Sequence, residues 1–210
     1  DNLTVAAGTN TIAGVISGAG NLTISSGTTT FTTAQTFTGD LALSAGAIVF
    51  DSNSTLESGN SDMAIDNDGT ITYSSTAAQT LSGVISGAGS IIKNESSVLT
   101  LGGTNTFTGD LTVNGGTVDV NGTLADGVDV IVSNTAGSIY EVGAADTIAS
   151  LALAGSNSSV VLTANLTVGD GNAKAIDGVI SGAGALTKVG SGAYTIGAAQ
   201  TFTGDLTINA

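Results

Sequence analysis

The tetrapeptide Asn21-Leu22-Thr23-Ile24 recurs, closely or loosely, along the whole chain. It consists of a polar residue, an apolar residue, a small or polar residue and a second apolar residue. Further copies begin at Asn2, Asp40, Asp62, Ser90, Asp110, Asp129, Ser150, Asn165, Ala185 and Asp205. The ten steps from Asn2 to Asp205 span 203 residues, or about 20 residues each. A strand-like pattern with a constant period of this length is typical of a solenoid, in which each repeat stacks on the previous one.

Alternation of apolar and polar residues predicts strands with one face buried in the solenoid. We expect the following pairs to point inward: Leu22 and Ile24, Leu41 and Leu43, Leu111 and Val113, and Leu206 and Ile208. The chain has no Pro, which cannot donate to a β-ladder, and it has 31 Gly, which tolerate the backbone angles of corners. The sequence therefore predicts an all-β fold, a single parallel β-helix of about ten coils over residues 1–210.

Two steps depart from the period. The step from Asp62 to Ser90 is 28 residues, whereas Thr70 precedes Ser90 by 20, so we predict a strand at Thr70 and an inserted loop near residues 57–68. The step of 15 residues before Asn165 indicates either a shortened coil or a misassigned strand at Ser150.

A longer repeat lies over the first. Gly-Val-Ile-Ser-Gly-Ala-Gly is followed about 22 residues after its first Gly by Thr-Phe-Thr-Gly-Asp-Leu, which gives three related units, at residues 14–41, 83–111 and 178–206. The third unit also reads Leu-Thr-Lys-Val-Gly-Ser-Gly-Ala-Tyr-Thr-Ile over residues 186–196.

These words resemble the autotransporter-associated β-strand repeat of bacterial type V passenger domains. The resemblance implies a right-handed β-helix that lies outside a Gram-negative cell or on its outer-membrane surface. It implies no particular activity, because such passengers include adhesins, structural stalks and enzymes. Aligning the three units predicts equivalent inward sites for Phe37, Phe107 and Phe202, and a second common level for Phe31, Leu101 and Ile196.

Charge and composition limit the partners. Three Lys and no Arg stand against 17 acidic residues, for a net charge of −14. We therefore expect no nucleic-acid partner, because such binding depends on clustered cations. No apolar stretch reaches the ~18 residues of a membrane helix, so we expect no membrane insertion. The chain begins at Asp without a signal peptide, which we interpret as a processed product or an excised fragment.

The residue types also limit catalysis. Without His or Cys the chain cannot build a thiol nucleophile or a Ser-His-Asp triad. A pair of carboxylates could still cleave polysaccharides, with Asp119, Asp126 and Asp129 as candidates. The aromatic and cationic platforms that bind sugars would then lack Trp and Arg. We predict a protein that is not an enzyme and needs no cofactor, with a polysaccharide-acting β-helix as an alternative.

Two other patterns resemble binding sites. Asp62, Asp66 and Asp68 have the composition of a calcium loop but not the spacing of a known one, so we favour a solvated turn. The run Thr28–Thr33 resembles an ice-binding array, but the aligned positions in the other units do not continue it.

Two functional hypotheses remain: a structural or adhesive surface scaffold, and a protomer that stacks head to tail into an extracellular filament or layer. The first would contact a host or cell-surface receptor, and its ends would meet flanking repeats of the same polypeptide. The second would self-associate through unpaired strand edges. The predicted edge residues are Asn2, Leu3, Thr4 and Val5 at one end, and Asp205, Leu206, Thr207 and Ile208 at the other.

Overall fold

The structure is a computed structural model that describes residues 1–56, 63–169 and 171–209. All regular elements in these ranges are β-strands, and no helix there is long and apolar enough to cross a membrane. The first fourteen strands are Leu3–Val5 (β1), Thr9–Ile12 (β2), Ser17–Gly18 (β3), Leu22–Ile24 (β4), Thr28–Phe31 (β5), Thr36–Phe37 (β6), Leu41–Leu43 (β7), Ala47–Ser52 (β8), Ile65–Asn67 (β9), Thr70–Ser75 (β10), Gln79–Leu81 (β11), Ile85–Ser86 (β12), Ser90–Lys93 (β13) and Val98–Leu101 (β14). The remaining strands are Leu111–Val113 (β15), Thr117–Val120 (β16), Asp129–Val132 (β17), Ser138–Val142 (β18), Asp146–Ile148 (β19), Ser150–Leu153 (β20), Ser158–Leu162 (β21), Leu166–Val168 (β22), Lys174–Ile176 (β23), Val179–Gly182 (β24), Leu186–Lys188 (β25), Tyr194–Ile196 (β26) and Leu206–Ile208 (β27).

The strands form a three-sided solenoid, and the chain visits the three sides in the same order in each turn. Face 1 contains β1, β4, β7, β9 and β12, and then β19, β22, β25 and β27. Face 2 is one continuous sheet in the order β2, β5, β8, β10, β13, β15, β17, β20, β23 and β26. Face 3 contains β3 and β6, and then β11, β14, β16, β18, β21 and β24. All pairings are parallel and join residues about 20 apart, as in Leu3 with Leu22, so the chain makes about ten turns.

Faces 1 and 3 are each interrupted once but continue through isolated backbone hydrogen bonds. On face 1 an isolated bridge joins Thr104 to Thr123 between β12 and β19. On face 3 the Gln35 N–H donates to Thr55 O (2.8 Å) between β6 and β11. The predicted β-solenoid is therefore confirmed, while right-handed winding stays a prediction that agrees with the general rule for parallel crossovers.

The core is a column of inward side chains between the three faces. On face 2 the ladder aligns Phe31, Phe50, Tyr73 and Lys93. The Phe31 and Phe50 rings stack with their centroids 5.5 Å apart. Each inward side chain packs on the inward side chain of the next turn because each ladder rung repeats the pleat of the rung below.

The predicted inward register is confirmed away from the ends. Leu111 and Val113 are fully buried, and Thr112 between them is half-buried. Leu206 and Ile208 keep 50% and 69% of their surface exposed. They lie on β27, which pairs only with β25, so no further coil covers them within the described residues.

The twenty-residue pattern does not stay on one side of the solenoid. Its copies at Asn2, Asn21 and Asp40 precede face 1 strands, whereas those at Ser90, Asp110, Asp129 and Ser150 start or precede face 2 strands. The later copies at Asn165, Ala185 and Asp205 return to face 1. The long step of 28 and the short step of 15 are therefore moves between faces. Both earlier explanations of the short step were wrong, since Ser150–Leu153 is a strand in a complete coil.

The predicted loop near residues 57–68 overlaps a regular strand. Thr70 does begin a strand, and it pairs with Ala47 on one side and Ser90 on the other. However, Ile65–Asn67 forms β9 on face 1, so the loop cannot extend to residue 68. Residues 57–62 lie outside the described part of the chain.

The three Phe residues point inward but do not occupy equivalent sites. Phe37 and Phe107 are fully buried, and Phe202 in the last complete turn is half-buried against the core. Phe37 lies on face 3 and Phe202 pairs with face 3, through its N–H to Ile180 O (3.2 Å). Phe107 instead lies on face 1, where its N–H donates to Ile85 O of the turn below (3.1 Å). The predicted inward orientation is therefore confirmed, whereas the prediction of equivalent sites was wrong, because the second unit is displaced by one face.

The second predicted level fails for the same reason. Phe31 and Ile196 lie on face 2, but Leu101 lies on face 3.

Candidate functional site

The repeated words stack directly on one another. In each unit the last Gly of Gly-Ala-Gly lies beneath the Gly of Thr-Phe-Thr-Gly one turn later. A Cβ added to Gly39 would lie 2.4 Å from Gly20 O, and one added to Gly109 would lie 2.4 Å from Gly89 O. A backbone approach this close requires glycine at the upper position, because any side chain there would collide with the carbonyl below.

The hydrogen bonds are also the same in the three units. The Thr36, Thr106 and Thr201 N–H groups donate to Ile16, Ile85 and Ile180 O at 3.0, 2.8 and 2.9 Å. The second unit therefore keeps its internal geometry although it lies on a different face. The same local stacking arrangement therefore occurs on two of the three sides of the coil, faces 1 and 3.

A side chain beside each stacked pair, buried for Gln35 and Asn105 and half-buried for Gln200, bonds it to the turn below. Gln35 Oε1 accepts the Ile16 N–H (2.8 Å), Asn105 Oδ1 accepts the Ile85 N–H (3.1 Å) and Gln200 Oε1 accepts the Ile180 N–H (2.6 Å). The same role falls to Gln79 with Leu56 (2.7 Å) and to Asp146 with Leu124 (3.0 Å). We call these five residues the corner locks: Gln35, Gln79, Asn105, Asp146 and Gln200. Each precedes Thr and then Phe, Leu or Ile, a signal that the sequence analysis missed.

The polar first residue of the short pattern fastens face 1 from outside. Asn2 Oδ1 accepts the Asn21 N–H, Asn21 Oδ1 accepts the Asp40 N–H, and Asp40 Oδ1 accepts the Ala64 N–H, each at 3.0 Å. Each side chain thus satisfies a backbone donor of the next turn.

Two of the three lysines are structural. Lys93 is fully buried, and its Nζ donates to Glu95 O and to Gly115 O (3.4 Å) above the Tyr73 ring. Burial lowers the pKa of Lys93 to about 8, and the charge of Glu95 acts against that shift. Lys188 is buried in the same way, with its Nζ 5.6 Å from the Tyr194 ring centroid. At both positions the lysine of the repeat donates to backbone carbonyls at a corner of the coil.

The predicted catalytic carboxylates have separate partners. Asp119 accepts from Asn121 Nδ2 (2.8 Å) on face 3. Asp129 on face 2 accepts from the Ser150 hydroxyl and pairs with Lys174 (3.6 Å). Asp126 borders a groove with Asp146. The structure gives no arrangement in which these three would act on one bond.

The predicted calcium candidates also have other roles. Asp66 Oδ1 accepts from the Ser86 hydroxyl (3.3 Å), and Asp68 Oδ1 accepts the Ala88 N–H (3.0 Å). Asp62 lies outside the described residues. Across the described ranges no three or more His, Cys, Asp or Glu side chains converge as metal ligands.

The run Thr28–Thr33 does not have the neighbours that the alignment of the three units predicted. Thr28 and Thr30 stack between Thr9 and Thr11 on one side and Ala47 and Val49 on the other. The outward Thr pair is therefore interrupted at the next turn.

The ends of the described solenoid expose unpaired strand edges. β1 and β27 are the outer strands of face 1, and Leu3 is 43% exposed. At the β27 end an apolar cavity of about 330 Å³ opens into the core, where its lining includes Ile176, Tyr194 and Leu206.

Comparison with known proteins identifies the repeat. The model of the passenger-associated-transport-repeat matches residues 91–120 and 186–210. The chain carries the repeats of an autotransporter passenger. It is also 34% identical over 142 residues to the adhesin BmaC autotransporter of Brucella suis biovar 1 (strain 1330). That match covers 67% of this chain but 4% of the relative, and no solved structure matches the chain.

The two matched passenger repeats start on different faces. The first begins with β13 on face 2 and the second with β25 on face 1. The displacement of the units is thus a property of how this passenger repeat is wound into the coil.

Proposed function

We propose that this segment is a non-catalytic shaft within an extracellular adhesive passenger on the surface of a Gram-negative bacterium. The main support is where the repeat residues point. The Gly pairs, the corner locks and Lys93 serve contacts between turns. The repeat residues thus serve the length and rigidity of the rod, and the similarity to an autotransporter adhesin supports an adhesive role for the whole protein.

The test is surface display of the longer passenger with variants of this segment. The first variant carries Thr147→Ala, Thr167→Ala and Thr187→Ala, which stack outward on face 1. We expect adhesion to host cells to be unchanged by it, because a shaft offers no receptor contact. A core variant, Leu111→Asp, should abolish adhesion together with surface protease resistance. Loss of adhesion by the threonine variant with protease resistance intact would assign a receptor site to the segment and refute the shaft.

We also propose that flanking repeats of the same polypeptide cover both exposed ends. A further coil could pair with the open edges of β1 and β27, and at the β27 end it would cover the apolar cavity. The relative is many times longer than this chain. Head-to-tail stacking of separate copies is the alternative, and such a heterologous contact would form a filament.

Proline variants distinguish the two. The Leu3 N–H already donates to Asn21 O (2.9 Å), so a proline at Leu3 would break an internal bond. Backbone N–H and C=O groups of successive residues in a strand point to opposite sides, so the backbone groups of Thr4 face the open edge of β1. At the other end the Asn209 N–H donates to Lys188 O, so the backbone groups of Ile208 face the open edge of β27. We expect the isolated chain to stay monomeric in light scattering at rising concentration. Concentration-dependent growth that Thr4→Pro and Ile208→Pro suppress would instead favour the filament.

A further inference from the structure

The strand that follows Thr-Phe-Thr-Gly-Asp occurs three times in the solenoid, and the next turn covers two of the three copies. The apolar residues of the covered copies are almost fully buried: Leu41 and Leu43 in the first unit, and Leu111 and Val113 in the second. The equivalent residues of the third unit, Leu206 and Ile208, are 50% and 69% exposed. The chain thus shows twice what covers a surface that is open at the β27 end of the described residues.

In the first unit the cover is β9 together with the residues before it. Ile65 pairs with Leu41, and the Leu41 N–H donates to Ala64 O (3.0 Å). The same register places Met63, which is buried in the core, over Gly39. One apolar side chain therefore lies over the glycine and a second lies over the leucine.

The second unit has a cover of the same kind, which comes from β17. Val130 pairs with Leu111, and the same register places Val128 over Gly109. Val128 and Val130 are both fully buried. The two covers share one pattern: an apolar residue over the glycine, an outward residue, and a second apolar residue over the leucine.

The third unit offers the same surface without a cover. Gly204 holds the place of the glycine, and the apolar cavity of about 330 Å³ opens beside Leu206 and Ile208. The Asn209 N–H donates to Lys188 O below, so the backbone groups of Ile208 and of Leu206 two residues earlier face the open edge. Both hydrogen-bonding groups and apolar surface are therefore ready for a strand.

We propose that the β27 end binds one class of partner: a further coil of the same polypeptide, whose strand places an apolar residue over Gly204 and a second one over Leu206. This inference rests on the proposed cover by flanking repeats, and it adds the side-chain chemistry that the covering strand needs. The support is that the same surface has this cover in both of the other units.

A second copy of this chain does not have that pattern. Its first strand has Leu3 in the position that would lie over Leu206, and the residue two positions earlier is Asp1. A carboxylate would then lie over Gly204, where the two known covers have Met63 and Val128. Burying an unpaired charge is strongly unfavourable, so the pattern selects a flanking coil over head-to-tail stacking.

An extended chain tests the pattern. Residues 115–133, which complete the turn above the second unit, are joined after Asn209 in place of residue 210. This extension supplies Val128 and Val130 at the spacing that they have above the second unit. We expect amide hydrogen exchange at Leu206 and Ile208 to slow by about tenfold or more relative to the unaltered chain. The Ser44 amide, which donates to Ile24 O far from this end, is the internal control and should not change.

A matched extension carries Val128→Asp in the added copy only. We expect it to lose the slowing at Leu206 and Ile208, while Ser44 keeps its protection. Equal slowing in both extensions, or none in either, would overturn the inference.

The unaltered chain provides an independent measurement. Exchange at Ile208 should not change as the protein concentration rises, because a second copy does not fit the end. Slowing with concentration would show that a second copy covers this surface and would also overturn the inference. Neither result bears on the shaft, which is judged by adhesion of the displayed passenger.

Discussion

At the scale of single residues, a one-residue step separates the core from solvent. Leu111 is fully buried and Thr112 is half-buried on the outer side of the same strand. Leu111→Asp should lower the free energy of unfolding by several kcal/mol, because it buries an unpaired charge. Thr112→Asp should change it by about 0.5 kcal/mol or less. Thermal melts of the two variants check this, and equal shifts would contradict the register.

Lys93 makes stability depend on pH at the alkaline end. Its pKa is lowered to about 8 in the folded chain, below the usual 10.5, so the unfolded chain holds the proton more tightly between these values. The free energy of unfolding should therefore rise from about pH 8 to about pH 10.5, by about 3 kcal/mol at most. Urea unfolding across this range checks it. Lys93→Met is the control and should remove this part of the rise; an identical pH profile in that variant would refute the assignment.

The residue scale is also where sequence reasoning was strongest. Alternation correctly placed Leu22, Leu41 and Leu111 in the core, because inward burial acts on each residue separately. It could not separate buried amides from surface ones. Asn105 and Gln79 lie among small polar residues in the sequence. Their burial is stabilised by a hydrogen bond from a backbone N–H one turn away, which the sequence does not show.

At the scale of the strand and its corner, glycine contacts should decide stability. Gly109→Ala would place a Cβ 2.4 Å from Gly89 O, and a backbone atom cannot yield as a side chain can. We expect a loss of about 3 kcal/mol or more in the free energy of unfolding. Gly127→Ala is the matched control, because no atom lies within 4 Å of its added Cβ. Chemical denaturation of both variants measures the difference in the free energy of unfolding. Similar losses would contradict the close contact between the Gly of Thr-Phe-Thr-Gly and the Gly of Gly-Ala-Gly one turn below.

The corner locks can be tested in the same way. Gln79→Ala leaves the buried Leu56 N–H without its acceptor, which should cost about 1–3 kcal/mol. Thr80→Ala, at the adjacent exposed position, should stay within about 0.5 kcal/mol. A Gln79→Ala melt that matches the Thr80→Ala melt would show that water replaces the lock.

Faces could not be predicted at this scale, for a physical reason. All three sides of the coil use the same inward–outward alternation, so Asp110–Val113 on face 2 reads like Asn21–Ile24 on face 1. The face on which a strand lies depends on the number of corners that precede it. Because the corners vary in length, this number cannot be counted from the sequence. The period therefore revealed the turns, whereas the displacement of the second unit needed coordinates.

At the scale of the whole molecule, the rod should tolerate the loss of a complete turn better than the loss of one side. In a solenoid each coil contacts mainly its neighbours, so stability is close to a sum over coils and interfaces. Deleting residues 22–40 joins Asn21 to Leu41 and preserves the order of faces, since Leu3, Leu22 and Leu41 occupy successive rungs. Ile12 would then meet Phe50 in the face 2 column, with one interface fewer. We expect a β-rich spectrum and a cooperative melt only slightly below that of the full chain. Deleting residues 22–27 instead removes one side, so Thr28–Phe31 would meet a face 1 strand, and Gln35 would lose the Ile16 N–H, its partner across the deletion. The later corner locks keep their partners, so the damage should fall on the first turn, and that variant should melt below the variant that lacks a complete turn. If both deletions melted alike, the order of faces at this joint would not contribute to stability.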